Sequence, residues 1–377
     1  NAQDRVTPNL RRHQVDRATG KTIDTGWEGT KPYRVIWRDR AGKQRSRSFA
    51  KRAHAYHYKT EIEAQLLTGT YNDPQLGKLT FDEWADRYLS HVIGNPTTIA
   101  SYESAIKKHL RPRFGHRAIN TITRDDTKQL IAEMHNDGKK RQTIKNTTNL
   151  FAAVLQTALD AGAISANAAT KPKLPSDGLK REKVFLSPTQ IELLAGCIGP
   201  QYSLMVRFAG HSGLRAGEIH GLKISDLRLD LGYLEVNRNV TEVRGKLTIG
   251  KPKNGKSRTV FLGATMCTEL ALFIVGRNAD EWLFTTENGG QIRHGNFFKR
   301  HFKPAVLAAG LDPATNFHSL RHSAASIMLA ANLPLLTVSQ QLGHSSIIIT
   351  VDTYGHLFPS AHDELQQALD SAWSSVN

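Results

Sequence analysis

Gly213-Leu214-Arg215-Ala216-Gly217-Glu218 opens a series of five short segments, continued by Pro252-Lys253-Asn254-Gly255, His318-Ser319-Leu320-Arg321, Leu342-Gly343-His344 and a single Tyr354. Arg215 and Glu218 stand at i and i+3 of a helix, Lys253 at the tip of a hairpin, and His318 and His322 four apart on a second helix. The series therefore runs through a mixed domain whose strand-like pieces cluster between Gly232 and Leu262, with turns at Arg244-Gly245 and Asn254-Gly255, and whose remainder is mainly helical.

Outward from this region, the 377 residues are too many for one ordinary core and suggest two or three domains. The net charge is +16 and the pI about 9.8, with +8 over residues 1–72, +5 over 78–172 and +4 from 173 onward. Such a balance favours a polyanionic partner, and nucleic acid is the usual one. No run of about 18 apolar residues is present and no signal peptide precedes the first domain, which argues against a membrane partner. Cys197 and Cys267 stand alone in apolar surroundings and read as reduced core residues of an intracellular, cytoplasmic protein.

Residues 1–72 read as a small basic domain. A strand around Leu10 to Val15 joins a hairpin over residues 32–49, and a helix follows from about Lys51 to Leu67. Arg34, Arg38, Arg45 and Arg47 stud the hairpin, and a two-stranded ribbon of this kind fits the DNA major groove. A linker at Thr70–Gly77 leads to a helical domain over 78–172. Thr80 caps a helix with Phe81, Trp84, Tyr88 and Val92 on one face, and the next carries Ile99, Tyr102, Ile106 and Leu110. Two more run from about Arg124 to His135 and from Gln142 to Ala161. Lys107, Lys108, Arg111, Lys139, Lys140, Arg141 and Lys145 lie outside this bundle and suit a DNA clamp. A second linker over 171–184 precedes Ser187-Pro188-Thr189-Gln190, which opens the domain of the five segments at 183–377.

The residue types fit transfer of a phosphodiester. A tyrosine phenol with a pKa near 10 is ionised about once in a thousand at pH 7 and needs a base before it can attack. Two guanidinium groups, Arg215 and Arg321, can hold the non-bridging oxygens as charge builds on a five-coordinate phosphorus. An ammonium such as Lys253 can protonate the departing oxygen, and His318 and His344 remain for proton handling and hydrogen bonding. Each residue also has a plainer reading. Arg215 and Glu218 make a structural pair, Lys253 joins Lys251, Lys256 and Arg258 in a basic loop, His318 and His322 offer two zinc ligands, His344 caps a helix, and Tyr354 is a half-buried tyrosine.

Taken in order, the segments resemble the tyrosine recombinase (phage integrase) family, whose pattern is Gly-Leu-Arg-x-Gly-Glu, a lysine in a β-turn, His-x-x-Arg, then Leu-Gly-His and a tyrosine about ten residues later. His344 and Tyr354 are ten apart here. The resemblance implies a three-domain integrase of the lambda type: an arm-binding sheet with a helix, a helical core-binding bundle, and an α+β catalytic domain. Trp37-Arg-Asp-Arg-Ala-Gly and Gly69-Thr-Tyr-Asn-Asp-Pro look like temperate-phage integrases of actinobacteria. The resemblance further implies that Tyr354 forms a 3′-phosphotyrosyl bond, that Lys253 protonates the 5′-oxygen, that Arg215 and Arg321 clamp the phosphate, that His318 serves as base and then acid, and that His344 donates to a non-bridging oxygen. No cofactor, metal or ATP is implied. The implied partners are double-stranded DNA, three further copies in a tetramer working through a Holliday junction, a host DNA-bending protein and an excisionase. Residues 361–376 carry Leu365, Leu369, Trp373 and Val376 on one stripe, suited to docking on a neighbouring copy. A conjugative-transposon integrase shares this layout, a type IB topoisomerase shares the chemistry, and a DNA-binding regulator would share the fold alone.

Overall fold

The structure, a computed structural model, describes residues 8–10, 14–15, 22–23, 33–38, 42, 44–68, 71–176, 183–252, 255–355 and 362–374. The chain divides into two compact units, residues 1–179 and 180–377.

The first unit begins with β1 (Pro8–Leu10), β2 (Gln14–Val15), β3 (Thr22–Ile23), β4 (Tyr33–Arg38), β5 (Gln44–Phe49) and α1 (Arg52–Thr68). An antiparallel sheet of order β1-β4-β5 forms, with Tyr33 opposite Phe49 and Arg38 opposite Gln44. Alternation along β4 sends Val35 and Trp37 inward, where they meet Ala55 and Ile62 of α1 and Tyr71. The strand expected over Leu10 to Val15 is split. Leu10 already faces Tyr33, the first residue of β4, so the described pairing ends there, and β2 pairs with β3 instead.

Residues 71–77 bind both halves of this unit. Tyr71 is buried in the sheet's core, while the Asp73 N–H donates to the Gly162 carbonyl at 2.7 Å and the Asp73 carboxylate pairs with Arg45 and caps α2 (Pro74–Gly77). The helices are α3 (Phe81–His91), α4 (Pro96–Ala105), α5 (Arg111–Phe114), α6 (Arg124–Asn136) and α7 (Arg141–Asp160). Thr80 with Glu83, and Thr123 with Asp126, close reciprocal caps at α3 and α6. Phe81, Trp84, Ile106, Leu110, Phe114, Phe151 and Leu155 fill the core, with Phe114 stacked on Phe151 at 4.7 Å. Between α4 and α5 the chain passes through a π turn, Ile106–Leu110, because Pro112 has no N–H to continue the ordinary ladder.

The second unit starts with α8 (Pro188–Cys197), capped by Ser187 and Gln190, then α9 (Pro200–Ser212) and α10 (Ala216–Ile219). A three-stranded sheet of order β10-β7-β6 joins β6 (Leu227–Arg228), β7 (Tyr233–Val236) and β10 (Arg258–Phe261). The hairpin of β8 (Asn239–Val243) and β9 (Lys246–Gly250) turns at Arg244-Gly245, both with positive φ. Then come α11 (Ala264–Phe273), α12 (His294–Phe297), a second π turn at Phe298–Phe302 before Lys303-Pro304, and α13 (Lys303–Ala308). Last are α14 (Phe317–Ala330), α15 (Leu335–Leu342), α16 (Ile347–Tyr354) and α17 (His362–Ser374). A large core gathers Phe208, Phe302 and Leu320, and a smaller one wedges Ala325, Leu329, Val338, Leu342 and Tyr354 between α14, α15 and α16. Cys267 is buried as expected, but Cys197 is exposed: Ile191, Leu194, Ala195 and Ile198 take the inward stripe and leave it outside. Among the described residues no helix is long and apolar enough to cross a membrane.

Candidate active site

Arg215 is the capping residue of α10, just after Gly213 has turned the chain out of α9 with a left-handed φ of 67°. Its backbone N–H and its Nη1 each donate to Glu218 at 2.9 Å, and its Nη2 donates to the Gly343 carbonyl at 3.0 Å. Glu218 is fully buried and also accepts both forks of Arg258, at 2.9 and 2.8 Å. Burial alone pushes this carboxyl up, but the Arg258 and Arg215 donors more than reverse it and hold it at about 2. The structural-pair reading of Arg215 and Glu218 is therefore correct, and the pair aims Arg215 into the site. Gly343 is required twice over. It ends α15 at a φ of 67°, and a Cβ there would stand 2.5 Å from Arg258 Nε and 2.7 Å from its Cζ.

Helix α14 supplies the opposite wall. The Asn316 side chain accepts from the His318 and Ser319 N–H groups, so the helix begins where His318, Arg321 and His322 share one face. Arg321 is buried; its Nη1 donates to the Gly213 carbonyl at 2.8 Å, while its Nη2 is buried with no hydrogen-bond partner among the described residues. Burial and the neighbouring Arg215 push Arg321 down to about 9, so it stays charged at neutral pH. A buried, charged donor with nothing to donate to is a place for an anion.

His344 follows Gly343, and its Nδ1 lies 2.7 Å from Thr350 Oγ1. Tyr354 ends α16 with its ring in the small core and its hydroxyl 2.8 Å from His322 Nδ1. Burial pushes the phenol up to about 12. His318 opens to solvent beside His322, ring centroids 4.7 Å apart. Desolvation first, and then the neighbouring arginines, Lys183 and the other histidines, lower His318, His322 and His344 to about 4 each, so all three are neutral at pH 7.

Arg215, His318, Arg321, His344 and Tyr354 are thus brought together, whereas Lys253 lies outside the described residues. Sequence reasoning missed three participants. In sequence Glu218 and Arg258 read as members of a simple pair and a basic loop, and His322 as a metal ligand, although its place next to Arg321 on a helix is the available signal.

The candidate DNA contacts divide. Val35 faces Arg47 and Trp37 faces Arg45 across the ribbon, so Arg45 and Arg47 share the face that packs on α1. Arg47 lies over the Tyr58 ring at 4.8 Å, and Arg45 pairs with Asp73. Arg34 and Arg38 occupy the outward face, bonded to Ser46 Oγ and the Gly42 carbonyl. In the helical part Lys107, Lys108, Lys139, Lys140 and Lys145 are exposed, Arg111 pairs with Asp82 and Asp86, and the Arg141 Nε donates to the Pro175 carbonyl.

Residues 185–360 match the Phage integrase family, and residues 80–135 match the N-terminal SAM-like domain of phage integrases. The XerC-like tyrosine recombinase of Caldanaerobacter subterraneus subsp. tengcongensis is 27% identical over 91% of this chain and 96% of its own length. The ICEBs1 integrase of Bacillus subtilis is 26% identical over 82% of this chain and 88% of that one. Among solved structures, the Tn1549 transposon integrase in complex with a circular intermediate DNA superposes with a TM-score of 0.67 at 20% identity, over 78% of this chain and 99% of that one. A lambda integrase tetramer bound to a Holliday junction superposes with a TM-score of 0.59 at 19% identity, over 89% and 96%. With the two family matches spanning more than half of the sequence and the whole stretch from Arg215 to Tyr354, the chain belongs to the phage integrase family of tyrosine recombinases and is a site-specific DNA recombinase.

Proposed function

We propose that the protein integrates a mobile element by joining the element's attachment site to a bacterial one, with Tyr354 as nucleophile. The observation that carries this is the vacant Nη2 of Arg321, buried and charged in the same basket as Arg215, His344 and the Tyr354 hydroxyl. A phosphodiester supplies the missing acceptor. The Tyr354 oxygen attacks phosphorus while Arg215 and Arg321 hold the non-bridging oxygens and His344 donates to one of them. The bond to the 5′-oxygen breaks, Lys253 protonates that oxygen, and a 3′-phosphotyrosine remains. His318, at the mouth of the site, assists proton transfer in both halves. The 5′-hydroxyl of a second duplex then attacks the phosphotyrosine, so the bond energy is kept and no ATP is consumed.

Two duplexes call for four sites. Leu369 and Trp373, four apart on α17, are both exposed and suit docking on a neighbouring copy in a tetramer; the Leu365 side chain and Val376 lie outside the described residues. Residues 1–72 would bind arm sites through Arg34 and Arg38, the helical residues 78–172 and the catalytic residues 183–377 would enclose the core site, and a host bending protein and an excisionase would set direction. The reaction takes place on DNA in the bacterial cytoplasm. The element is a temperate phage in this reading. A conjugative-transposon integrase is the second reading, favoured by the likeness to the Tn1549 transposon integrase.

The test is a nicked core half-site whose cleaved strand end diffuses away, trapping the covalent adduct. Wild-type protein should accumulate it and Tyr354→Phe should not; an adduct with the phenylalanine variant would end this reading.

A further inference from the structure

We propose that His322, rather than His318, takes the phenolic proton of Tyr354 and is a further catalytic residue of the cleavage reaction. The proposal rests on the reading of Tyr354 as nucleophile and adds the group that arms it. His322 Nδ1 stands 2.8 Å from the Tyr354 hydroxyl, the direct hydrogen-bond distance a proton acceptor needs. Among the described residues His318 makes no hydrogen bond to that hydroxyl; it stands one helical turn nearer the start of α14, on the solvent side.

The packing fixes the geometry of the contact. The His322 ring is held edge-on by His318 at 4.7 Å and by Phe185 at 6.3 Å, and the Tyr354 ring is clamped in its own small core, so both partners keep their orientation. Burial keeps the phenol protonated, so the hydroxyl has a hydrogen to give; in the arrangement proposed it donates, Nδ1 accepts, and Nε2 carries the ring's hydrogen.

In the free protein this transfer is uphill. Among the described residues the titratable and charged groups facing His322 are His318 and Arg321 from its own helix, Lys183 from the segment before α8, His344 from the turn before α16, and Tyr354 itself. None of the others is a carboxylate, so nothing there stabilises an imidazolium, and the phenol is equally reluctant to ionise. A phosphodiester held by Arg215 and Arg321 brings the absent negative charge. It offsets the guanidinium charge that His322 feels, favours the imidazolium, and so makes proton removal possible only when DNA is in place. In the forward step the O–H bond of Tyr354 breaks, the proton moves to His322 Nδ1, the oxygen's electron pair forms the bond to phosphorus, and the 5′-oxygen leaves with its proton from the acid. In the reverse step the tyrosyl oxygen leaves phosphorus and retrieves the proton from His322.

The experiment uses the full chain, the nicked core half-site and single-turnover rates from pH 5 to 10. His322→Asn is the informative variant, because its amide oxygen stands near the place of Nδ1 and accepts the hydrogen bond but cannot take the proton. It should bind core DNA like wild type and form adduct on the order of 10²-fold more slowly at neutral pH. The wild-type rate should level off above the pKa of the DNA-bound imidazole, whereas the variant's rate should keep rising about tenfold per pH unit. Fluorotyrosine at position 354, a more acidic phenol, should recover more activity in the variant than it adds to wild type. A wild-type rate and profile in His322→Asn, or an equal fluorotyrosine effect in both backgrounds, overturns the proposal. Loss of the levelling-off in His318→Asn but not in His322→Asn also overturns it. Nitrogen NMR of His322 in the intact wild-type chain gives a check that does not depend on a variant's folding: an unprotonated Nδ1 supports the assignment, and a protonated one overturns it. Adduct formation by the Tyr354→Phe control would sink the nucleophile itself, whereas an inert control beside a fully active His322→Asn sinks this proposal alone.

Discussion

Glu218 touches no DNA in the proposed reaction, yet two site arginines hang on it. A buried carboxylate accepting from Arg215 and from both forks of Arg258 is a pair that is costly to break from one side. Glu218→Gln should lower stability by about 3–5 kcal/mol, read from urea unfolding, and should slow adduct formation because Arg215 loses its anchor. A change below about 1 kcal/mol would show that the arginines find other partners. The pH dependence has a definite sign. The folded value of about 2 lies below the ordinary 4.5, so this contribution is complete above pH 4.5 and is lost as pH falls toward 2. Half of this arrangement was legible in the sequence. Arg215 and Glu218 are three apart, and local spacing reveals such a pair. Arg258 comes forty residues later from a strand, and no period in the sequence connects it to Glu218. His322 illustrates the other gap: its neighbour Arg321 was recognised by motif, but the ring's partner, Tyr354, comes from a helix thirty-two residues on.

Helix α14 presents three site residues, and its first turn sets where they point. The Asn316 side chain accepts from two backbone N–H groups, so Asn316→Ala should cost about 1 kcal/mol and should reduce adduct formation more than core-DNA binding. Unaltered cleavage in that variant would mean that packing alone positions the helix. Gly343→Ala meets two obstacles, a left-handed φ and the guanidinium of Arg258, and should lose at least about 1 kcal/mol of stability together with activity. A fully active alanine variant would show that Arg258 can yield. At this scale helices with apolar stripes, and the helix starts at Thr80 and Ser187, were plain in the sequence. The two π turns were not: each follows from a proline, Pro112 or Pro304, inside an otherwise continuous helical pattern, and apolar periodicity does not register a one-residue slip.

For the molecule as a whole, acid is the expected weakness. His220 is held at about 3, and His318, His322 and His344 at about 4, below their ordinary 6.5. Between those limits the unfolded chain binds more protons than the folded one, so stability falls as pH is lowered from about 6.5 toward 4. The thermal midpoint should drop between pH 7 and pH 5, and an unchanged midpoint would contradict these neutral histidines. Removing residues 1–72 should spare cleavage of core DNA while abolishing integration that depends on arm sites; unchanged integration would remove the arm-binding role. The basic front, and the sheet with a helix that precedes the helical stretch, were readable from charge and pattern. The binding role of residues 71–77 was not, because a segment of Tyr, Asn, Asp and Pro reads as a spacer, and only the fold shows Tyr71 sealed in one core and Asp73 tied to Gly162 beside another. Tyr354 carries a last consequence, one of timing. Its ring is a core residue, 1% exposed, so any outward swing of α16 must first open a void between α14 and α15 as large as the ring. Emptying a site of that size costs on the order of 3–5 kcal/mol, which makes such excursions roughly a thousandfold rarer than free motion of a surface helix. The backbone amides of α16 should therefore exchange slowly with solvent, and it is packing, before any DNA arrives, that keeps the nucleophile at its post.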